Sequence, residues 1–209
     1  MQKKNCVLCI SIGIIVCILL SACSKQPDFD AKSYVQSSLD AYYHGEYKDY
    51  ANLLEISEKD AKKEIEEDFN ESIQQQFDYS DNITDKGIAD YAKKLVEVKK
   101  LAKYKVQDEK KDEDGNYTVS VKVEPSDVFQ TLQQSSAEVS KEKIVQGMKE
   151  TDPGVFASVL TESVQKSIDK NSYGDPVTVT VKVEKNHSGT YELSETERSK
   201  LETAMFPTE

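Results

Sequence analysis

The sequence predicts a single α+β domain in which several amphipathic helices pack on a small antiparallel sheet to form a cone-like fold. Two observations support this: helical periodicity fills the first half of the chain, and valines alternate with polar residues in two later segments, 117–124 and 177–183. The 209 residues are 37% hydrophobic and 31% charged, and they include four Cys and no Trp. Collagen-like, disulfide-scaffold and polytopic membrane proteins are therefore excluded.

Four helices are predicted in the first hundred residues, because apolar side chains recur there every three or four positions. They are expected at residues 32–44, 47–54, 57–77 and 88–98. Gly45 is expected to end the first helix, since glycine adopts the left-handed cap conformation at little cost. Ser57 is the expected N-cap of the third helix. The polar segment 78–85 is predicted to be a loop.

From residue 103 onward the period of the pattern changes to two, which predicts strands. Asp114-Gly115 is a hairpin signal between the first two strands, and Pro125 ends the second of them. Segments 119–124 and 179–184 nearly repeat, as VSVKVE and VTVKVE. Six residues are too few to show a duplication, and two strands that share one valine face of an antiparallel sheet explain the match.

Three more helices are expected around the later strands. Helical spacing resumes over residues 128–148. Asp152 followed by Pro153 predicts an N-cap and the first position of another helix. Ser194 and Glu197 stand at capping-box spacing before a short terminal helix.

The first 22 residues predict a secretion signal. Lys3 and Lys4 precede 15 residues without charge, 6–20, whereas a membrane-spanning helix needs about 20 apolar residues. The uncharged run leads into residues 20–23, LSAC. This tetrad resembles the bacterial lipobox, in which a diacylglycerol is attached to the cysteine and the signal is cut just before it. An ordinary cleaved signal with an incidental Cys23, or an uncleaved anchor, is the alternative.

The expected organisation is a lipoprotein signal peptide at 1–22, a lipidated Cys23 with a tether at 23–31, and one α+β domain at 32–209. Removing 22 of the 209 residues leaves 187, and loss of Lys3 and Lys4 takes the formal charge from −11 to −13. Such acidity argues against nucleic acid as a partner, because nucleic-acid binding requires basic side chains that neutralise the phosphates. The mature chain would keep no free thiol, which excludes a thiol nucleophile and a thiolate zinc site.

Motifs for catalysis are absent from the sequence. His44 and His187 are the only histidines, and there is no zinc-binding His-Glu-x-x-His, no nucleophile elbow and no phosphate loop. The acidic segment 112–116 lacks the ligand spacing of an EF-hand and is interpreted as a hairpin turn. No catalytic residue, metal site or cofactor is predicted.

The segment Tyr34 to Leu54 carries the motif Tyr42-Tyr43-His44-Gly45-Glu46-Tyr47, followed by Tyr50. It resembles the opening of nuclear-transport-factor-2-like and cystatin-like domains. More narrowly, the chain is similar to uncharacterised lipoproteins of Gram-positive bacteria that carry such a domain. The resemblance implies a cone-shaped fold that often leaves a cavity between sheet and helices, and it brings no active-site residues with it.

Four tyrosines are the candidate ligand-binding residues: Tyr42, Tyr43, Tyr47 and Tyr50. Aromatic faces stack on planar ligands and the hydroxyl forms hydrogen bonds, although tyrosines at this spacing also build helix-pair cores.

We predict a non-enzymatic surface protein, anchored to the extracytoplasmic face of the cell membrane by lipid on Cys23, that binds an unknown protein or envelope component. The alternatives are a small-ligand-binding cone domain that uses a tyrosine-lined cavity, and a carboxylate-based enzyme.

Overall fold

The computed structural model describes residues 29–77, 83–149, 152, 154–187 and 189–208. Within these ranges the order of elements is α1 (Ala31–Leu39), a π-helical segment (Asp40–His44), α2 (Tyr47–Leu54), α3 (Glu58–Phe77), α4 (Asp85–Lys99), β1 (Lys103–Lys111), β2 (Tyr117–Glu124), α5 (Leu132–Val145), α6 (Val155–Lys170), β3 (Val177–Lys185), β4 (Tyr191–Leu193) and α7 (Glu195–Met205). The predicted α+β class is confirmed. The predicted signal peptide, Cys23 and most of the loop predicted at 78–85 lie outside the described residues.

The four strands form one antiparallel sheet in the order β1-β2-β3-β4. In its centre, Val119 of β2 lies opposite Val181 of β3, and Val121 lies opposite Val179. Val119, Val121 and Val181 are fully buried. The near-repeated segments therefore share one valine face of a common sheet, as predicted.

Residues 29–31, which precede the domain start predicted from the sequence, are already packed against the domain. The ring of Phe29 stacks on Tyr191 of β4, with 4.2 Å between the ring centroids. Asp30 is the N-cap of α1, because its Oδ1 accepts a hydrogen bond from the Ser33 N–H at 2.8 Å. Ala31, the first residue of α1, is fully buried. These contacts assign residues 29–31 to the domain and shorten the expected tether.

The first predicted helix is correct in extent but changes type within its length. Its last five residues, Asp40–His44, form the π-helical segment, and Gly45 ends it with a φ of +71°. A glycine takes up this left-handed conformation without the steric cost that a Cβ imposes. Within the wider turn Tyr43 is buried, whereas Tyr42, expected on the buried stripe, is 39% exposed.

Two predicted helix starts are wrong. Residues 128–131 form turns, so α5 begins at Leu132. Helix α6 begins at Val155 with Gly154 as its N-cap. The Asp152 carboxylate, expected to cap α6, instead accepts a hydrogen bond from the Lys149 N–H at 2.9 Å. The side chain is thus already used by the preceding loop.

The main core lies between the valine face of the sheet and helices α1 and α7, and the buried Leu201 and Met205 belong to it. Ser194 caps α7, and its Oγ accepts the Glu197 N–H at 3.3 Å, as predicted. The Glu197 carboxylate does not complete the capping box, because it accepts the Lys182 N–H of β3 at 3.0 Å. None of the helices in the described ranges combines the length and apolar character that crossing a membrane requires.

Candidate functional site

A cavity of about 320 Å³ opens between α1, the π-helical segment, α3 and α7. This volume is within the range of small-ligand sites, which starts at about 300 Å³. Its wall combines four tyrosine rings, four carboxylates and one guanidinium: Tyr34, Tyr42, Tyr43, Tyr50, Glu64, Asp68, Glu195, Glu202 and Arg198. We call it the tyrosine cavity.

Three of the four tyrosines predicted as ligand-binding residues line this cavity: Tyr42, Tyr43 and Tyr50. The fourth, Tyr47, packs against the small core between α2 and α3 instead. Tyr34 also lines the cavity, although it was not among the predicted residues. It could have been found from its spacing, because it stands eight residues, about two helical turns, before Tyr42 on the same stretch of chain.

Two of the tyrosines are buried and still have hydroxyls without a partner. Tyr43 is 6% exposed and Tyr50 is 3% exposed. Neither hydroxyl forms a hydrogen bond with any residue that the structure describes. The hydroxyl of Tyr34, by contrast, accepts the Leu193 N–H at 3.3 Å. The two hydroxyl oxygens are not fully buried, and because both residues line the cavity, the hydroxyls are accessible to a ligand that enters it.

The carboxylates surround the more exposed part of the cavity. Asp68, Glu195 and Glu202 are exposed and Glu64 is half-buried. Among the described residues, none of their side chains forms a hydrogen bond or an ion pair. Burial, and then the neighbouring Asp68, raises the pKa of Glu64. The lining therefore carries an excess of negative charge, which Lys99, electrostatically coupled to Glu202, offsets only in part.

The tyrosines report the same electrostatic environment. Burial raises the pKa of Tyr43, and the charge of Glu202 raises it further. Burial likewise raises the pKa of Tyr50, followed by the charge of Glu64. Arg198, the only arginine of the sequence, lowers the pKa of both hydroxyls but is the smaller influence. The phenolate forms are thus strongly disfavoured, and both hydroxyls keep their protons at neutral pH.

The charge pattern of α3 does not by itself mark the cavity side of that helix. Lys62 and Glu66 form an ion pair at a spacing of four residues, with 3.8 Å between the charged atoms. Glu64 and Asp68 have the same spacing but carry like charges. Like charges at this spacing destabilise an isolated helix by about 0.2–0.5 kcal/mol. Acidic pairs at the same spacing also occur on α3 at positions 60/64 and 67/71, so this pattern could not have identified Glu64 and Asp68 as functional candidates.

The histidines and the acidic turn lie outside the lining of the tyrosine cavity. The ring of His44 stacks on Tyr104, and its Nε2 lies 3.1 Å from the Ala102 carbonyl oxygen, to which it donates. In the turn between β1 and β2, the Asn116 N–H donates to Asp112 Oδ1 at 2.8 Å. No cluster of three potential metal-ligating side chains occurs in the described ranges of the chain.

Fold and cavity together define a small α+β domain with a tyrosine- and carboxylate-lined site. The chain is similar in fold to the crystal structure of a candidate lipoprotein, ycdA, from Bacillus subtilis strain 168, with a TM-score of 0.59 and 14% sequence identity. The similarity covers 85% of this chain and 56% of that one. The chain thus spans little more than half the length of the Bacillus protein, and at this identity the likeness shows a shared fold alone.

No protein-family model matches the chain, and no curated protein sequence is similar to it. The resemblance to nuclear-transport-factor-2-like and cystatin-like domains stays a prediction.

Proposed function

We propose that the chain is a lipid-anchored extracytoplasmic protein that binds a small ligand in the tyrosine cavity. The observation that carries the proposal is the pair of buried tyrosines, Tyr43 and Tyr50, which line a cavity of about 320 Å³ and whose hydroxyls have no hydrogen-bond partner in the described structure. The proposed role is binding rather than catalysis, because the sequence contains no zinc-binding His-Glu-x-x-His, no nucleophile elbow and no phosphate loop.

The anchor is supported by the residues 20–23, LSAC, and by the position at which the domain begins. Six residue steps separate Cys23 from Phe29, the first residue that the structure describes, and they span at most about 22 Å. A lipid on Cys23 would hold the cavity near the membrane surface. The fold shared with a candidate lipoprotein of Bacillus subtilis agrees with this arrangement.

The anchor is tested with the variant Cys23→Ala in a bacterial host. We expect an unprocessed precursor that incorporates no labelled fatty acid and migrates as the longer, uncleaved chain on gel electrophoresis. Cys17→Ala is the matched control, because it also removes a cysteine but leaves residues 20–23 intact. A Cys23→Ala protein that is still cleaved, labelled and membrane-held would contradict the anchor.

The binding site is tested by a thermal-shift screen of the full chain, purified in detergent, against amines, sugars, short peptides, nucleosides and phosphates. A ligand at 100 times its Kd adds about 2.7 kcal/mol, which corresponds to a rise in Tm of about 5–11 °C for a domain of this size. If no compound in the panel raises the Tm, the proposed function is wrong.

The location of the site is tested by filling the cavity. Ser199 lies in its lining, on α7, so Ser199→Trp is expected to abolish binding of a hit from the screen. The control is Ser72→Trp, on the exposed surface of α3. Circular dichroism checks that both variants fold. A ligand that binds Ser199→Trp as tightly as the unchanged chain does not occupy the tyrosine cavity.

A second candidate function, binding of a protein partner, is favoured by the end of the α5–α6 pair. Val145 is 88% exposed there, and Ile144, Met148 and Phe156 are also exposed large apolar residues. Exposed apolar patches often mark protein interaction sites. A photo-crosslinking residue at position 145, but not one at exposed Lys110, should give an adduct on intact cells. Equal adducts at both positions, or none, would contradict this second function.

A further inference from the structure

The tyrosine cavity has charge of predominantly one sign. Helix α3 contributes Glu64 and Asp68, and α7 contributes Glu195 and Glu202, against the single basic side chain of Arg198. With ordinary ionisation the lining carries three more negative than positive charges. A cleft lined by one sign of charge beside low-dielectric walls concentrates ligands of the opposite sign.

No lysine forms an ion pair with the acids of this lining in the described part of the chain, although the charge of Glu202 acts on Lys99. Elsewhere on α3, Lys62 pairs with Glu66 and Lys63 pairs with Glu67, each at a spacing of four residues. No ion pair of this kind neutralises Glu64 or Asp68 within the described residues. An external cation would remove the repulsion between these two carboxylates, which no side chain in the described ranges does.

The tyrosines specify the chemistry of the cation further. The faces of aromatic rings attract ammonium groups, and this chain already uses such contacts: Lys99 Nζ lies 3.6 Å from the ring centroid of Tyr42, and Lys103 Nζ lies 3.5 Å from that of Tyr173. The unpaired hydroxyls of Tyr43 and Tyr50 can accept hydrogen bonds from an N–H group. A protonated primary or secondary amine supplies that donor, whereas a quaternary ammonium does not.

We infer that the ligand of the tyrosine cavity is a protonated alkylamine, held by the Tyr43 and Tyr50 hydroxyls within a ring of unpaired carboxylates. This inference rests on the proposed function, that the cavity is a ligand site. The amine is either a free small molecule, such as a polyamine, or a lysine side chain of a peptide. Both present the same ammonium group on a flexible alkyl chain.

Isothermal titration of the full chain with spermidine tests the charge requirement. The double variant Glu64→Gln/Glu202→Gln is expected to weaken spermidine binding at least about tenfold, because each lost carboxylate contributes a few-fold in affinity. The control Glu113→Gln/Glu184→Gln makes the same change in net charge at exposed positions outside the cavity. It should leave the Kd within about twofold, and an equal loss in both double variants would overturn the inference.

Arg198 allows a test with the opposite sign. Its guanidinium is the only positive group in the lining and repels a bound ammonium. Arg198→Gln is therefore expected to strengthen spermidine binding by about two- to fivefold. Weaker binding in this variant would overturn the inference, because it would assign the main attraction to an anionic group on the ligand.

The hydroxyls are tested with Tyr43→Phe and Tyr50→Phe, each of which should weaken spermidine binding by about five- to tenfold. Tyr47→Phe is the matched control, since Tyr47 lies in the same segment but outside the cavity lining. Tetramethylammonium, which has no N–H donor, should bind far more weakly than spermidine and should not distinguish the phenylalanine variants. Tetramethylammonium binding as tight as spermidine binding would overturn the hydrogen-bonding part of the inference.

The source of the amine is identified with a blocked Gly-Lys-Gly peptide, whose single ammonium stands on a peptide chain. Binding of either probe supports the amine class, and the tighter probe identifies the source.

Failure of the inference differs from failure of the proposed function. If neither amine probe binds, but a neutral or anionic compound binds and Ser199→Trp abolishes its binding, the proposed function stands and the inference of an amine ligand is wrong. The absence of any hit overturns both.

Discussion

Replacing Gly87 with alanine is expected to destabilise the protein, although the same change in an exposed helix is stabilising. Gly87 lies in the first turn of α4, where this helix meets α6. A Cβ added to Gly87 would lie 2.5 Å from the Cβ of Ala157 and 3.3 Å from Thr84 Oγ1. Non-bonded carbon atoms pack at about 3.5–4.0 Å, so the two helices would have to separate by about 1 Å or more.

The size of the effect follows from two opposing contributions. Alanine is favoured over glycine in a helix by about 1 kcal/mol. Overpacking at a close contact costs about 1–3 kcal/mol. The net result is a loss of up to about 2 kcal/mol in the free energy of unfolding. If Ala157 is also changed to glycine, the clash disappears and Gly87→Ala should become stabilising by up to about 1 kcal/mol.

The assay is urea denaturation of four proteins, followed by circular dichroism: the unchanged chain, Gly87→Ala, Ala157→Gly and the double variant. We expect a coupling free energy of about 1–3 kcal/mol between the two positions, in the direction of rescue by the double variant. Equal effects of Gly87→Ala with and without Ala157→Gly would refute the close approach of α4 and α6 at this point.

Two further predictions concern single charged side chains. Glu197→Ala removes the acceptor of the Lys182 N–H and should lower the free energy of unfolding by about 1.5–3 kcal/mol. The control Glu195→Ala, in the same helical turn, should lower it by less than about 0.5 kcal/mol. Thermal denaturation of both variants measures the difference. Burial raises the pKa of Glu197, but the hydrogen bonds from Lys200 and from the Lys182 N–H outweigh burial, so the pKa is lowered. The stabilisation that the Glu197 carboxylate provides should therefore be lost as the pH falls below the usual glutamate range. Burial lowers the pKa of Lys99 to about 8. Between pH 8 and the ordinary lysine pKa, the unfolded chain therefore binds more protons than the folded chain. The free energy of unfolding, measured by urea denaturation, should rise with pH in that window, and Lys99→Met should abolish the rise.

The strands could be predicted because their signal is contained in a few consecutive residues. A valine at every second position gives one apolar face, and an apolar face must be buried against something. Val119 and Val181 consequently meet across β2 and β3, although 62 residues separate them in the sequence. Gly45 was predictable for a similar reason, since its left-handed conformation is a local requirement of the turn.

Cap assignments failed where a polar side chain had more than one suitable partner. Asp152 could cap α6 but bonds to the Lys149 N–H, and Glu197 could complete a capping box but bonds to the Lys182 N–H of β3. In each case the spacing in sequence is right for the local bond. The competing partner is placed by the fold, so periodicity and spacing could not decide between the two.

The tyrosines of the candidate site could be predicted from the sequence, whereas its carboxylates could not. Tyr42, Tyr43 and Tyr50 lie within nine residues of each other, so a local motif could identify them. The carboxylates of α3 and α7 are more than 120 residues apart in sequence, and each helix alone has the composition of a solvated surface helix. Only packing on the same tyrosines brings Glu64 and Glu202 to one cavity, where their charges add. A solvated surface needs no such convergence and would be stabilised by lysines placed among these acids, as on the opposite side of α3. That the four carboxylates form no ion pair in the described structure, next to two buried tyrosines whose hydroxyls are unpaired, is the arrangement expected if a cation from outside completes the site.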